Sequence, residues 1–281
     1  LPAWLHALAE IKPTLIANAL TEYVIASLRG KKDYINGMEL LAEDTGSKEV
    51  AMLSLPALIQ GFPARATSSQ LRILRGLLLS SLRYRLPELD GIISAKLGQK
   101  SLDSSQKIYF LLAGMLLSSA TYEDSLWKYV GNTWQRIEKI SEFIGTVSGG
   151  LSIDYSLSAR TLGKMISVQA PFAEFDWPKG GGFINQSMQL GDHVRHLISR
   201  LSSMGTQECV DVIDDLIVNP ALYKLKWQLL SSKHEAIQKQ REACFSFPPL
   251  DDVARILNNL DPTSPADLHA LVLDNLYQIA D

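Results

Sequence analysis

The sequence predicts an all-α protein, built as an α-solenoid of antiparallel helix pairs. First, nearly every apolar segment has a helical period: leucines recur at positions 71, 74, 78 and 82, which places them on one face of a helix. Second, the connections are short and contain turn residues such as Gly30 and Gly205, which favours antiparallel neighbours. Third, a long series of helix pairs that cannot bury their apolar faces alone is typical of solenoids.

Local signals mark where several of these helices begin. Thr67 followed by Gln70 has the pattern of a capping box, and Asp103 followed by Gln106 repeats it. Pro220 stands where a first helical turn tolerates the missing N–H. These signals predict helix starts near residues 68, 104 and 220.

The helical pattern covers most of the chain. Its period is irregular and shows no repeat consensus, so HEAT- or armadillo-like stacking is favoured over a strict repeat of about 34 residues. The longest apolar run, from Ile108 to Leu117, is shorter than the ~20 residues of a membrane span and predicts a buried core helix. The predicted helices are residues 3–10, 13–28, 36–44, 48–60, 68–85, 87–97, 104–119, 123–130, 133–144, 159–167, 186–203, 207–218, 222–243, 251–258 and 266–280.

The region from residue 148 to 184 interrupts the series of helices. It brings together glycine, proline and aromatic residues, with only one short predicted helix inside it. One interpretation makes it the connection between an N-terminal helical array, residues 1–147, and a C-terminal array, residues 185–281. An inserted surface loop within one continuous solenoid explains the pattern equally well, and the sequence leaves both interpretations open.

Composition limits the classes of function. The net charge is −3 and the pI about 6.0, so any basic surface for nucleic acid must be local. Cys209 and Cys244 are far apart and indicate neither a disulfide framework nor a zinc site. The first residues lack the pattern of a secretory signal. We therefore predict a cytoplasmic protein with no membrane contact and no cofactor.

No group of residues has the pattern of an active site. Lys179 and the three glycines after it lack the spacing of a phosphate-binding loop. His193 and His196 lack the acid of a helical zinc motif, and Arg195 between them would repel a cation. Clustered carboxylates need a concave, partly dry site to act as acid or base. The sequence therefore predicts no metal site and no catalysis by this segment, and the clustered carboxylates are Asp211, Asp214, Asp215, Asp251 and Asp252.

Two groups of basic residues are the candidate contacts for nucleic acid or for a partner. The first lies within about one side of the helix 68–85, where arginines could pair with phosphates. The second follows Pro220 on a long predicted helix whose second half is polar almost all round. Such a helix is predicted to project beyond the stack, with an ordinary solvated face as the alternative. The first group is Arg72, Arg75 and Arg83, and the second is Lys224, Lys226, Lys233, Lys239 and Arg241.

The closing segment, residues 266–280, is apolar on two sides of a predicted helix. A helix of this kind must be covered on two sides. Since the chain neither begins with Met nor ends with a helix stop signal, we expect it to be part of a larger protein that supplies some of that cover. One stripe is Leu268, Leu271, Val272, Leu276 and Ile279, and the other is Ala270, Leu273, Tyr277 and Ala280.

The phrases FPPLDDVARIL and PADLHALVLDNL, together with Trp227 and Gln238, resemble the helical region found late in large bacterial NACHT-type NTPases and related antiphage defence proteins. The stretch EDTGSKEVAMLSLPALIQGFP is similar to their repeat units. The resemblance implies an NTPase module upstream and, in some members, a PD-(D/E)XK nuclease domain just after the PADL helix. It carries over no catalytic residue, because the chain contains no nucleotide-binding signature and no nuclease motif.

Two hypotheses of function follow. The first is a non-catalytic scaffold or sensor segment that binds a protein or nucleic-acid trigger and couples it to enzymatic domains elsewhere in the same polypeptide. The alternative is a self-contained HEAT-like nucleic-acid-binding module that uses the basic helix faces, with an affinity that falls steeply as salt is added. The expected partners are therefore other domains of the polypeptide and the trigger, and a homo-oligomer is left open.

Overall fold

The computed structural model describes residues 3–30, 32, 35–36, 41, 48–145, 157–176 and 185–244. Most of these residues are helical and none of them is in a β-strand, which confirms the predicted all-α class. Two 3₁₀ helices, Ala170–Phe172 and Pro220–Leu225, accompany twelve α-helices in this part of the chain. The α-helices are α1 (Ala3–Ile11), α2 (Pro13–Arg29), α3 (Lys48–Gln60), α4 (Ser68–Arg83), α5 (Leu89–Leu97), α6 (Ser104–Leu117), α7 (Ser119–Val130), α8 (Trp134–Gly145), α9 (Ala159–Gln169), α10 (Gln186–Ser203), α11 (Gln207–Ile217) and α12 (Lys226–Cys244).

Most predicted helices lie within a few residues of their observed bounds, but the prediction of one helix opened by Pro220 is wrong. Pro220 opens a 3₁₀ helix, and the Asn219 side chain caps it by accepting a hydrogen bond from the Ala221 N–H at 3.0 Å. The α-helix begins only at Lys226, in keeping with the frequent use of 3₁₀ turns at helix N-termini. The predicted helices 251–258 and 266–280, and most of 36–44, lie outside the described residues.

The α-helices pack mainly on neighbours that are adjacent or next but one along the chain. α2 packs on α3, α6 packs on α4, α5, α7 and α8, and α9 packs on α10 and α11. α12 packs on both α10 and α11. α8 also packs on α10, and this contact joins helices from either side of the 148–184 region. No helix in the described part of the chain is long and apolar enough to cross a membrane.

One large cluster of buried apolar side chains runs through the described residues, from Val24 to Ala236. α6 contributes most densely, because every residue from Ile108 to Met115 is buried, as predicted for this apolar run. Phe143 belongs to the same cluster, as do five residues of α10, namely Leu190, Val194, Leu197, Ile198 and Leu201. The described residues on the two sides of the 148–184 region therefore share one core.

Glycines allow two helices in the C-terminal half to approach their neighbours closely. A Cβ atom added to Gly191 in α10 would lie 2.2 Å from the carbonyl oxygen of Glu174. A Cβ atom added to Gly163 in α9 would lie 2.4 Å from a methyl group of Val212 in α11. Real carbon atoms do not approach this closely, so a larger residue at either position would push the two elements apart.

Of the two predicted capping boxes, only the first forms. The Gln70 N–H donates to Thr67 Oγ1 at 3.3 Å and the Thr67 N–H donates to Gln70 Oε1 at 3.0 Å. Asp103 does cap α6, through the Ser105 N–H at 2.7 Å. The Gln106 side chain, however, donates to a carbonyl of the α3–α4 link instead of turning back to the helix start. A partner distant in sequence replaces the local one.

The link between α3 and α4, residues 61–67, is fixed by side chains from two other helices. Gln106 Nε2 donates to the Pro63 carbonyl at 2.9 Å, and Lys96 Nζ donates to the Phe62 carbonyl at 2.9 Å. Lys96 is buried, and this burial lowers the pKa of its amine. Two otherwise unpaired carbonyls thus receive donors, as buried backbone groups require.

Glu123 connects α7 to α9. Its carboxylate accepts hydrogen bonds from Ser119 Oγ at 2.6 Å, from Trp127 Nε1 at 3.0 Å and from Thr161 Oγ1 at 3.0 Å. Burial raises the pKa of this carboxyl, but the three hydrogen bonds outweigh burial and leave the pKa lowered. The Thr161 contact joins elements that lie on either side of residues 146–156.

Candidate functional site

The three arginines of α4 differ in their exposure and in the contacts that they make within the protein. Arg72 is exposed and has no ionic partner among the described residues. Arg75 is half-buried, and its Nη1 donates to the Glu142 carbonyl at 3.1 Å, in the last turn of α8. Arg83 is half-buried and interacts within the protein. Only Arg72 therefore remains as a fully available phosphate contact on this helix.

Arg75 belongs to a polar cluster between α4, α6 and α8. Glu142 Oε2 accepts a hydrogen bond from Tyr109 at 2.8 Å and forms an ion pair with Lys139 at 2.7 Å. Burial and the nearby negative charge of Glu142 raise the pKa of Tyr109. The cluster satisfies polar groups at the edge of the core, and the arginine predicted as a phosphate contact has a structural role here.

We expect Arg75→Ala to lower the free energy of unfolding by about 1 kcal/mol, because a charged donor to a helix C-terminal carbonyl is lost at a half-buried position. Arg72→Ala, on the same helix, is the matched control and should change stability by less than about 0.5 kcal/mol. Urea unfolding of both variants measures the difference. Equal effects of the two substitutions would show that the Arg75 contact does not stabilise the fold.

The second basic group is partly neutralised by acids. Lys224 pairs with Asp176. Lys233 pairs with Asp214 at 2.7 Å. A third pair joins Lys239 to a glutamate one turn earlier in α12, at 3.0 Å. Two exposed cations of this group have no acidic partner among the described residues, and they are Lys226 and Arg241.

The structure also corrects the prediction that the second half of this helix projects from the stack. Ala236 is fully buried, and Ser232 is buried as well. A Cβ atom added to Gly205, in the turn between α10 and α11, would lie 2.8 Å from Lys239 Cβ. α12 is therefore packed against α10 and α11 as far as Lys239, because small residues let these elements approach.

Sequence reasoning missed an apolar surface beside these cations. Tyr223 is 76% exposed, Trp227 is 85% exposed and Leu230 is 40% exposed. Helical geometry places them opposite the buried stripe of the same segment. We call Tyr223, Trp227 and Leu230 the Trp227 surface. The signal was visible in the sequence, since two aromatic residues four apart fall outside the apolar stripe that is formed by Leu222, Leu225 and Leu229.

The histidines and the aspartates of the C-terminal half do not come together as a site in the described residues. His193 is buried and its Nδ1 lies 2.8 Å from Gln169 Oε1, whereas His196 is exposed. Asp211 accepts a hydrogen bond from Gln207 at 2.8 Å. Within the described ranges, no three His, Cys, Asp or Glu side chains are grouped to hold a metal ion. The glycine stretch after Lys179 and the pair Asp251 and Asp252 lie outside those ranges.

Comparisons of the chain with protein-family models, with curated proteins and with solved structures find no match. The resemblance of the C-terminal phrases to NACHT-type proteins therefore stays a prediction. Function has to be argued from the surface that the described residues form.

Proposed function

We propose that this chain is a non-catalytic scaffold segment that binds a protein partner through the Trp227 surface. The observation that carries the proposal is the exposure of Trp227, at 85%, beside Tyr223 and Leu230. Tryptophan and tyrosine are the residues that most often dominate the affinity of protein interfaces. Exposing them together on one face of a helix is unfavourable unless a partner covers them.

The architecture proposed for this scaffold is a HEAT- or armadillo-like solenoid in one continuous stack. Packing between helices that are adjacent or next but one along the chain supports it, because stacked repeats contact mainly their neighbours. The shared core on both sides of the 148–184 region supports a single stack. In keeping with its C-terminal phrases, we propose that the segment serves a cytoplasmic NACHT-type defence protein and couples partner binding to enzymatic domains elsewhere in that protein.

A protein partner is favoured over nucleic acid by the charges around the surface. Lys224, Lys233 and Lys239 are paired with carboxylates, and Arg75 is engaged by α8. Each of these contacts reduces the positive charge available to phosphates, on which non-specific nucleic-acid affinity depends.

A photoreactive amino acid at Ser231, beside Leu230, tests the proposal in cells that make the protein naturally. We expect it to capture one protein, whose purified complex loses affinity about 30-fold in Trp227→Ala, since an aromatic anchor contributes about 2 kcal/mol. Leu53→Ala removes an exposed leucine from α3 and serves as the control that leaves affinity unchanged.

Two outcomes would contradict the proposal. One is an affinity for the captured protein that does not respond to Trp227→Ala. The other is capture of nucleic acid, with low-salt oligonucleotide binding that weakens as salt rises and disappears in the double variant Lys226→Ala, Arg241→Ala; that result would support the nucleic-acid alternative.

A further inference from the structure

We propose that a single buried water molecule is bound between Lys96 of α5 and Gln106 of α6, beside the link between α3 and α4. The observation that carries the inference is the side-chain oxygen of Gln106. Gln106 is fully buried, and its Oε1 accepts no hydrogen bond from the described residues. A buried acceptor without a donor is unfavourable, so proteins satisfy such atoms with their own groups or with ordered water. The inference concerns a different part of the protein from the Trp227 surface and does not depend on the proposed function.

The orientation of the Gln106 amide is fixed by its neighbour. Its Nε2 donates a hydrogen bond to the Pro63 carbonyl at 2.9 Å. A carbonyl oxygen can only accept, so turning the amide by half a rotation would set two acceptors against each other. The unpartnered atom is therefore the oxygen in the orientation that keeps this hydrogen bond, and it requires a donor.

Lys96 supplies unused donors at the same place. Its Nζ donates to the carbonyl of Phe62, the residue before Pro63, so the Lys96 amine and the Gln106 amide bind consecutive carbonyls. A lysine ammonium has three N–H donors, and this is its one hydrogen bond to the described residues. Lys96 is only 4% exposed, so bulk water does not satisfy the remaining N–H groups.

Water is the ligand that these two partners can share. Its oxygen accepts a hydrogen bond from Lys96 Nζ, while one of its protons is donated to Gln106 Oε1. Its second proton also has an acceptor, because the carbonyls of Phe62 and Pro63 each keep a lone pair after accepting one hydrogen bond. About three hydrogen bonds are typical of a buried water molecule in a protein.

The chemistry of the partners argues against an ion at this position. An anion would be attracted by Lys96 but would face the acceptor oxygen of Gln106, and a metal cation would be repelled by the ammonium. The link is also held at its next carbonyl, since Ala64 accepts a hydrogen bond from the Asp103 N–H at 3.1 Å. Three consecutive carbonyls of the link thus receive donors from α5 or from the start of α6. The arrangement fits a neutral molecule that both donates and accepts.

A high-resolution crystal structure of the full chain tests the inference. We expect an isolated density peak that lies about 2.7–3.2 Å from both Lys96 Nζ and Gln106 Oε1. In solution, NMR should detect cross-relaxation from water to the Gln106 side-chain amide, with the sign of a long-lived contact. Lys96→Met replaces the amine by an apolar group of similar length and should abolish both the peak and the NMR signal. Lys100→Met, at an exposed position after α5, is the matched control that retains them.

The inference is overturned by a direct hydrogen bond between Lys96 Nζ and Gln106 Oε1, by the absence of a peak between them, or by a peak and an NMR signal that persist in Lys96→Met. A peak that refines as a chloride or a metal ion would overturn it as well, because the ligand would then be an ion. If Lys96→Met does not fold, the crystal structure and the NMR signal of the wild type decide the question by themselves.

Discussion

Replacing Gly191 with alanine should lower the free energy of unfolding by about 3 kcal/mol, one of the two largest effects that we expect. The added Cβ would lie 2.2 Å from the Glu174 carbonyl oxygen, and backbone cannot rotate away as a flexible side chain can. α10 would have to move off the 173–175 segment, at the cost typical of overpacked cores. Urea unfolding, followed by circular dichroism, measures the loss.

Gly91→Ala is the matched control for this prediction. Gly91 also lies within a helix, α5, but a Cβ atom there meets nothing within 4 Å. Alanine stabilises a helix interior by roughly 0.5–1 kcal/mol relative to glycine, so this variant should gain stability. A Gly191→Ala variant that gains as much as Gly91→Ala would contradict the close approach seen between α10 and Glu174.

Acid should destabilise the protein through His193 by about 3 kcal/mol between pH 6.5 and pH 4. Burial, followed by the nearby charge of His196, lowers the pKa of His193 from 6.5 to about 4, and each unit of pKa is worth ~1.4 kcal/mol. The unfolded chain binds the proton more readily than the folded one. This contribution to stability is therefore complete above pH 6.5 and is lost as the pH falls to about 4.

Unfolding free energies measured at several pH values in His193→Gln check this prediction. The variant lacks the titrating group, so the difference between wild type and variant should shrink as the pH falls from 6.5 to 4. His196→Gln, at an exposed position on the same helix, should keep nearly the wild-type profile. A parallel pH dependence in wild type and His193→Gln would mean that His193 does not resist protonation.

The helices were predictable because their signals are local. Thr67 and Gln70 are three residues apart, and both halves of their capping box appear as predicted. The same pattern failed at Gln106, because its side chain finds the Pro63 carbonyl, 43 residues away. Periodicity and capping describe a residue's neighbours along the chain, and they contain no information about a competing partner from another helix.

The candidate site was less predictable for the same reason. Lys224 and Lys233 were expected to present charge to a ligand, but their acidic partners Asp176 and Asp214 lie 48 and 19 residues away. From the sequence, Trp227 contributed only to the resemblance to NACHT-type proteins, and its exposure was not predicted. The exposure of Trp227 depends on which residues of α12 are covered by α10 and α11, and this is set by the packing of the helices.

The Glu123 contact with Thr161 bears on how such a chain can change during evolution. α7 and α9 are held together by this hydrogen bond and by a common core. Substitution of either residue would accordingly have to be compensated at the other for α7 and α9 to keep this contact.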